Sequence, residues 1–318
     1  MILLKVISLR NLEMNKTIFL LLIFIGVSIL VLAQSSIRLN NYWVNTHFIN
    51  PAATNEDYLV EASAVARQQW IRFYGAPSTF FLSTTIYNEK SHAQFGLNLF
   101  QDKIGYTSKY DINLSYSYSI ILKSYWQLHL GLAIAYQGLS YDISTVNLSS
   151  QNDQFVYQNL LAENDFNSDI GAELTNKNFR VGISGQHLIS LFSGKNNQFP
   201  NTNFLYAMYR NRNDNLVNFG WGICGIQTEK LVQMEMNMTS YFKSPKLNEL
   251  FYLGVFYRTQ FEIGAFLGLN ITNLISASYS YDYDLSGISR NSFGTHELML
   301  TYKWNKKKEC QCNDYENR

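Results

Sequence analysis

Five histidines, three cysteines and a glycine cluster are the groups in this 318-residue chain that could do chemistry, and their spacing gives them no common purpose. His47, His92, His129, His187 and His296 are scattered, and none stands at a metal-ligating distance along the chain from a Cys or a carboxylate. There is no Gly-x-Ser-x-Gly elbow, so a serine hydrolase of that type is not indicated. Gly220-x-Gly222-x-x-Gly225 matches the dinucleotide fingerprint on paper. Phosphate binding at such a motif needs the amides of a strand-to-helix turn. This one lies inside a run that reads as a strand, where glycine serves close packing. Cys310-x-Cys312 sits in a tail with Lys306, Lys307 and Lys308. Lacking further ligands for a metal, it is expected to form a local or intermolecular disulfide on a solvated tail. No catalytic residue, cofactor or metal is assigned, and the chain is expected not to be an enzyme. A lipid-acting barrel enzyme would need a Ser and a His at the outer lipid face, and no such pair stands out.

The elements that carry these residues are strands. Asp111–Ile120 alternates throughout, with Ile112, Leu114, Tyr116, Tyr118 and Ile120 on one face and Asp111, Asn113, Ser115, Ser117 and Ser119 on the other. Period two is the mark of a two-faced β-strand. Trp126–Gln137 and Leu231–Phe242 repeat the pattern. Alternation of this kind gives about fourteen segments between Leu59 and Trp304, each near the ~10 residues that a tilted strand needs to cross a bilayer. The sixth (Asn167–Leu174) and eighth (Phe204–Arg212) are the least regular.

Composition agrees with a barrel. Only 15% of residues are charged and 15% are aromatic, while the mean hydropathy is near neutral. Lumen-facing polar residues dilute an apolar outer face in this way. A net charge of +1 gives no electrostatic case for nucleic acid. Residues 1–33 read as a signal peptide, with Met14 as an alternative start: Lys16 precedes the apolar run Ile18–Leu32, and Val31 and Ala33 suit cleavage before Gln34. Residues 34–58 then form a periplasmic segment, 59–304 the barrel and 305–318 a charged periplasmic tail. Links after even-numbered strands are short, and those after the fifth, seventh and thirteenth are long and polar. With an even strand count, this is the asymmetry of an all-β outer-membrane barrel whose two termini are periplasmic. Glu61, Arg67, Asp111, His129, Glu235 and Asp282 fall on the polar phase and are expected in the lumen, where charges commonly pair to brace the wall.

Several phrases also occur in a telling order. They are His47-Phe-Ile-Asn50-Pro51-Ala52-Ala53; Arg67-x-x-Trp70 followed by Gly75-Ala76-Pro77-Ser78-Thr79; Asp102-Lys103-Ile104-Gly105; Tyr279-Ser-Tyr-Asp282-Tyr; and Gly294-Thr295-His296-Glu297-Leu298. Together they resemble the PorP/SprF family of outer-membrane proteins, associated with the type IX secretion system of Bacteroidetes. The resemblance spans nearly the whole mature chain. It implies a role in protein secretion or gliding motility, with a secreted cargo protein docked or anchored through its C-terminal sorting domain, alongside other secretion and motility components. It singles out Asn50, Pro51, Arg67, Trp70, Gly75, Pro77, Asp102, Gly105, Asp282, His296 and Glu297 without fixing their roles. Pro51 and Gly75 suit turns, and Arg67 could pair with a lumen carboxylate. Val146–Asp165 and the Cys-containing tail depart from the family pattern and leave the cargo open. The alternative function is a passive, porin-like channel or transporter for a small solute.

Overall fold

The structure, a computed structural model, describes residues 39–141, 163–191, 199–228, 231–244, 249–259, 261–285 and 292–306. The expected signal peptide (1–33) and the cysteines of the tail, Cys310 and Cys312, lie outside the described residues, as does nearly all of Val146–Asp165.

Fourteen strands follow in chain order: β1 (Tyr58–Gln68), β2 (Ser78–Asn88), β3 (Ala93–Ile104), β4 (Thr107–Ile121), β5 (Gln127–Tyr141), β6 (Glu163–Thr175), β7 (Phe179–Gln186), β8 (Thr202–Arg210), β9 (Val217–Thr228), β10 (Leu231–Phe242), β11 (Phe251–Arg258), β12 (Glu262–Asn270), β13 (Ile275–Asp284) and β14 (Thr295–Lys306). Each pairs antiparallel with its sequence neighbours, and β1 pairs with β14, so the sheet is a closed barrel. Closure follows from the solvent. Hydrocarbon offers no partner for backbone N–H and C=O groups, so a sheet that spans it can have no free edge. No helix among the described residues is long and apolar enough to cross a membrane.

The alternation seen in the sequence sets which face meets lipid. In β4, Ile112, Leu114, Tyr116, Tyr118 and Ile120 are exposed on the outside, while Asn113, Ser115, Ser117 and Ser119 are buried inside. The six charged or ionisable side chains expected in the lumen all take the inward phase. Gly220, Gly222 and Gly225 sit within β9, with Gly222 packed against the inward Asn237 of β10. Outward aromatics cluster across strands near one end: Phe179 against Tyr209, Tyr209 against Trp221, and Phe242 stacked on Phe251 at 4.4 Å. Amphipathic rings favour headgroup depth, which accounts for such a girdle.

Tyr58 and Lys306 are paired, so β1 begins where β14 ends. This end, with the turns after even-numbered strands, is the near rim. The far rim carries the connections after odd-numbered strands, including the long ones at 142–162, 187–201 and 285–294. β6 is longer than its sequence pattern suggested: pairing with β5 extends the ladder to Glu163 opposite Leu139, past the end of clean alternation.

The segment ahead of β1 departs most from expectation. Residues 34–58 read as a periplasmic stretch, yet 39–57 are folded inside the lumen, with Asn40, Asn41, Asn50 and Ala52 fully buried.

Outward residues near mid-strand report the membrane most directly. Ile134, 66% exposed in β5, is expected on replacement by Arg to destabilise the barrel by about 2–4 kcal/mol. Ile134→Leu should be near neutral. Equilibrium unfolding in lipid vesicles would check both, and an unaffected Ile134→Arg variant would contradict the assigned outer face.

Candidate functional site

Residues 39–57 carry neither helical nor strand periodicity, and they fold by means of their own short polar side chains. A turn joins Asn41 O to the Val44 amide at 3.0 Å. Thr46–Phe48 then make one 3-10 turn, capped where the Asn45 side chain accepts from the His47 amide. Asn50 Oδ1 accepts from the Ala52 amide at 2.9 Å across Pro51, and the Thr54 hydroxyl donates to Ala52 O. Asn, Ser and Thr commonly satisfy nearby backbone in this way. Here it supplies local partners for part of the backbone of a buried irregular segment.

The wall is moulded to this segment. A Cβ on Gly96 would overlap the His47 ring, one on Gly131 the Ala52 backbone, and one on Gly171 the Asn50 side chain. Side chains then lock the fit. His47 sits with Nδ1 at 3.2 Å from Ser83 and 3.1 Å from Asn98, and with Nε2 at 2.8 Å from Ser115. Asn50 donates to Tyr206 Oη at 3.0 Å, and Tyr206 donates to Glu173 at 2.5 Å. Arg180 reaches the Thr46 hydroxyl and Thr54 O and lies 3.5 Å from Glu173. Apolar packing is provided by Trp43 between Phe256 and Phe266, and by Phe48 edge-on to Phe81. A cavity of ≈ 20 Å³ beside His47, Thr54 and Arg180 has room for about one water molecule.

Towards the far rim lies a buried ion network. Arg67 (β1) pairs with Asp282 (β13) at 3.0 Å and with Glu297 (β14) at 3.3 Å. Arg258 (β11) pairs with Asp282 and Glu262, each at 3.1 Å, and closely with Glu235. The lumen segment completes the set. The amides of Asn40 and Asn41 donate to Glu297 at 2.7 and 3.0 Å, and Arg258 donates to Asn40 Oδ1 at 2.7 Å. Buried charges persist only when paired and hydrogen-bonded, so wall and segment satisfy each other.

Above this network the far rim carries a hydrogen-bonded knuckle. The Ile71 amide donates to Gly294 O and the Phe293 amide to Ile71 O, both at 3.1 Å, while Gly105 N donates to Gly75 O at 2.9 Å. Pro77 O accepts from Gln69 N and from the Gln68 side chain. Positive φ at Gly75 (72°) and Gly105 (59°) suits glycine, but Trp70 (43°) and Arg72 (93°) also take it, a conformation that non-glycine residues adopt at a cost. The outcome is a projecting surface: Arg72 lies over the Phe293 ring, Tyr74 is fully exposed, and Tyr106 is half-exposed beside them in the β3–β4 turn.

The resemblance-derived positions therefore divide by place. Asn50 and Pro51 belong to the lumen segment, and Arg67, Asp282 and Glu297 to the ion network. Trp70, Gly75, Pro77 and Gly105 build the knuckle. Asp102 is buried beneath it and accepts from Thr79 at 2.6 Å. His296 faces outward against Tyr279, 2.5 Å from its hydroxyl. Sequence reasoning missed Arg258, the centre of the network, as well as Glu173, Arg180 and Tyr206. An inward Arg in a strand was the available sign. Among the described residues, no three His, Cys, Asp or Glu side chains converge to hold a metal.

Residues 31–302 match the family model described as type IX secretion system membrane protein PorP/SprF. The chain belongs to that family. As a PorP/SprF protein it resides in the outer membrane and is associated with type IX protein secretion. No curated protein sequence is significantly similar to it. Similar solved structures are barrels. The outer membrane protein Omp33 of Acinetobacter baumannii is 11% identical, with a TM-score of 0.47 over 78% of this chain and 98% of that one. The CymD monoaromatic hydrocarbon channel is also 11% identical, with a TM-score of 0.47 over 81% and 92%. A mutant Rh. blastica porin is 8% identical, with a TM-score of 0.34 over 77% and 98%.

One titration is accessible outside the spanning strands of this PorP/SprF protein. His187, in the β7–β8 connection, donates its amide to Asp169 at 2.8 Å, and its ring lies 3.2 Å from Pro200 O and 3.6 Å from Asp111. Burial alone would lower its pKa. The hydrogen bond to Asp111, the charges of Asp169 and Asp111 and the Pro200 carbonyl outweigh that and hold it above the usual 6.5. A raised histidine pKa stabilises fully below the unfolded value and ceases to do so as pH rises through the folded one. The protection of amides in the turn at 187–191, taken relative to their intrinsic exchange rate at each pH, should accordingly fall above neutral pH, and His187→Gln should remove that fall.

Two variants test the fit of the lumen segment. Gly171→Val is expected to displace Asn50 and expose residues 39–57 to protease while the barrel stays closed. Glu297→Ala removes the acceptor for two amides and one partner of Arg67, and should cost about 3–5 kcal/mol in unfolding experiments. Native protease resistance in Gly171→Val would show that the groove tolerates a side chain.

Proposed function

We propose that this protein is a non-enzymatic docking barrel that receives a secreted cargo protein through the cargo's C-terminal sorting domain. The observation that carries the proposal is the filled lumen. Residues 39–57 occupy the interior with matched hydrogen bonds and moulded glycines, which leaves the rims for recognition. Family membership supplies the secretion context. The short-turn near rim faces the periplasm and the far rim faces outward, as the loop lengths of outer-membrane barrels favour. The knuckle of Arg72, Tyr74, Tyr106 and Phe293 is the docking surface on this reading. Exposed aromatic and Arg side chains on a rigid frame are typical anchors of protein interfaces.

Cells lacking this gene are expected to lose at least one sorting-domain protein from their surface, and that domain should co-purify with the barrel from outer membranes. Tyr74→Ala combined with Phe293→Ala should abolish co-purification without altering insertion. Full surface display of every sorting-domain protein in the deletion strain would refute docking. Steady conductance of the purified protein in planar bilayers would favour a porin-like channel instead.

A further inference from the structure

The lumen segment has a direction. Its first residues lie with far-rim ends of strands: Asn40 and Asn41 meet Glu297, two residues from the start of β14, and Asn40 meets Arg258, the last residue of β11. Its last residues lie with near-rim ends: the Asn55 amide donates to Gln94 near the start of β3, Glu56 accepts from Gln127 at the start of β5, and Asp57 meets Arg212 in the β8–β9 turn. Between them, His47 is held at mid-height by Ser83, Asn98 and Ser115. A hydrocarbon core of about 30 Å needs only ~10 extended residues at ~3.3 Å each. The excess in 39–57 is taken up by the turns at Asn41–Val44, Thr46–Phe48 and Asn50–Ala53.

We infer that residues 39–57 make one crossing in addition to the fourteen strands, so that Leu39 and the carboxy-terminal end of β14 lie towards opposite sides of the membrane. The even strand count suggested that both termini share the periplasm; the lumen crossing reverses the first of them. Leu39 accordingly lies towards the same mouth as Tyr74 and Phe293. The opposition of the two ends follows from the contacts alone; only the naming of the sides rests on the orientation proposed above.

Single-cysteine labelling of whole cells tests this with a polymer-linked maleimide too large to cross the outer membrane. Ser36→Cys, beyond the cleavage expected after Ala33, is placed in a Cys224→Ser, Cys310→Ser, Cys312→Ser background. The native tail cysteines, expected as a disulfide, are followed in Cys224→Ser after mild reduction of the cells. The expected result is that Ser36→Cys labels on intact cells and the tail only after permeabilisation. The reverse order would keep the crossing and overturn the orientation. Labelling of both sites at the same step, or a Ser36→Cys site that stays unreactive throughout, would overturn the crossing. Purified protein gives a second readout: the pairs Asn40→Cys with Ser280→Cys, and Thr54→Cys with Ser117→Cys, should each form a disulfide. Failure of both pairs in a folded barrel would remove the segment from the lumen.

Discussion

The Glu297 carboxylate is where wall closure and lumen filling meet. Its cross-strand neighbour at the seam between β14 and β1 is Arg67, to which it is also ion-paired, and its oxygens accept the amides of Asn40 and Asn41. In hydrocarbon the seam must be paired along its length, because an open edge would strand a row of amides and carbonyls. Inside, a carboxylate at complete burial must be matched or neutralised. One group meets both demands, and Asp282, Arg258, Glu235 and Glu262 extend the network over the neighbouring strands.

The wall and the interior were unequally legible in the sequence. Strands such as β4 and β10 announce themselves because lipid and lumen impose opposite chemistries on successive residues, and period two survives even where the exact ends do not. Residues 39–57 are under no such alternating demand. Most of that segment faces wall on all sides, so Tyr42, Phe48 and Ile49 are buried beside Asn40, Asn45 and Asn50 without a period. The phrase around Asn50-Pro51 was visible as a resemblance, but only the structure shows the proline turn seated against Gly131 and Gly171. Asp282 and Glu297 share the β13–β14 hairpin, but Arg67 lies far from both in sequence and only the closure of the barrel brings it to them. Arg258 was passed over because one inward cation in an otherwise regular strand looks like ordinary lumen lining.

Filling of the lumen also changes what the far-rim loops mean. A wide barrel with an empty interior acts through its bore, and its loops gate that bore. Here the bore is occupied by the chain itself, and the strained turns at Trp70 and Arg72 are held by backbone bonds to Gly294 and by the Gly75–Gly105 contact. Such strain persists where the surrounding structure over-determines it, and here backbone bonds tie down the turn that carries the aromatic tips.

The three wall glycines carry a last consequence, for the order of assembly. Gly96, Gly131 and Gly171 lie on β3, β5 and β6 and receive His47, Ala52 and Asn50, whereas the anchors for Asn40 and Asn41 are on β11, β13 and β14. The early strands form the bed of a mould and the final strands its clasp. An open intermediate that lacks β14 leaves the Asn40 and Asn41 amides without the Glu297 carboxylate, so the strand that completes the cylinder also caps the leading end of its contents.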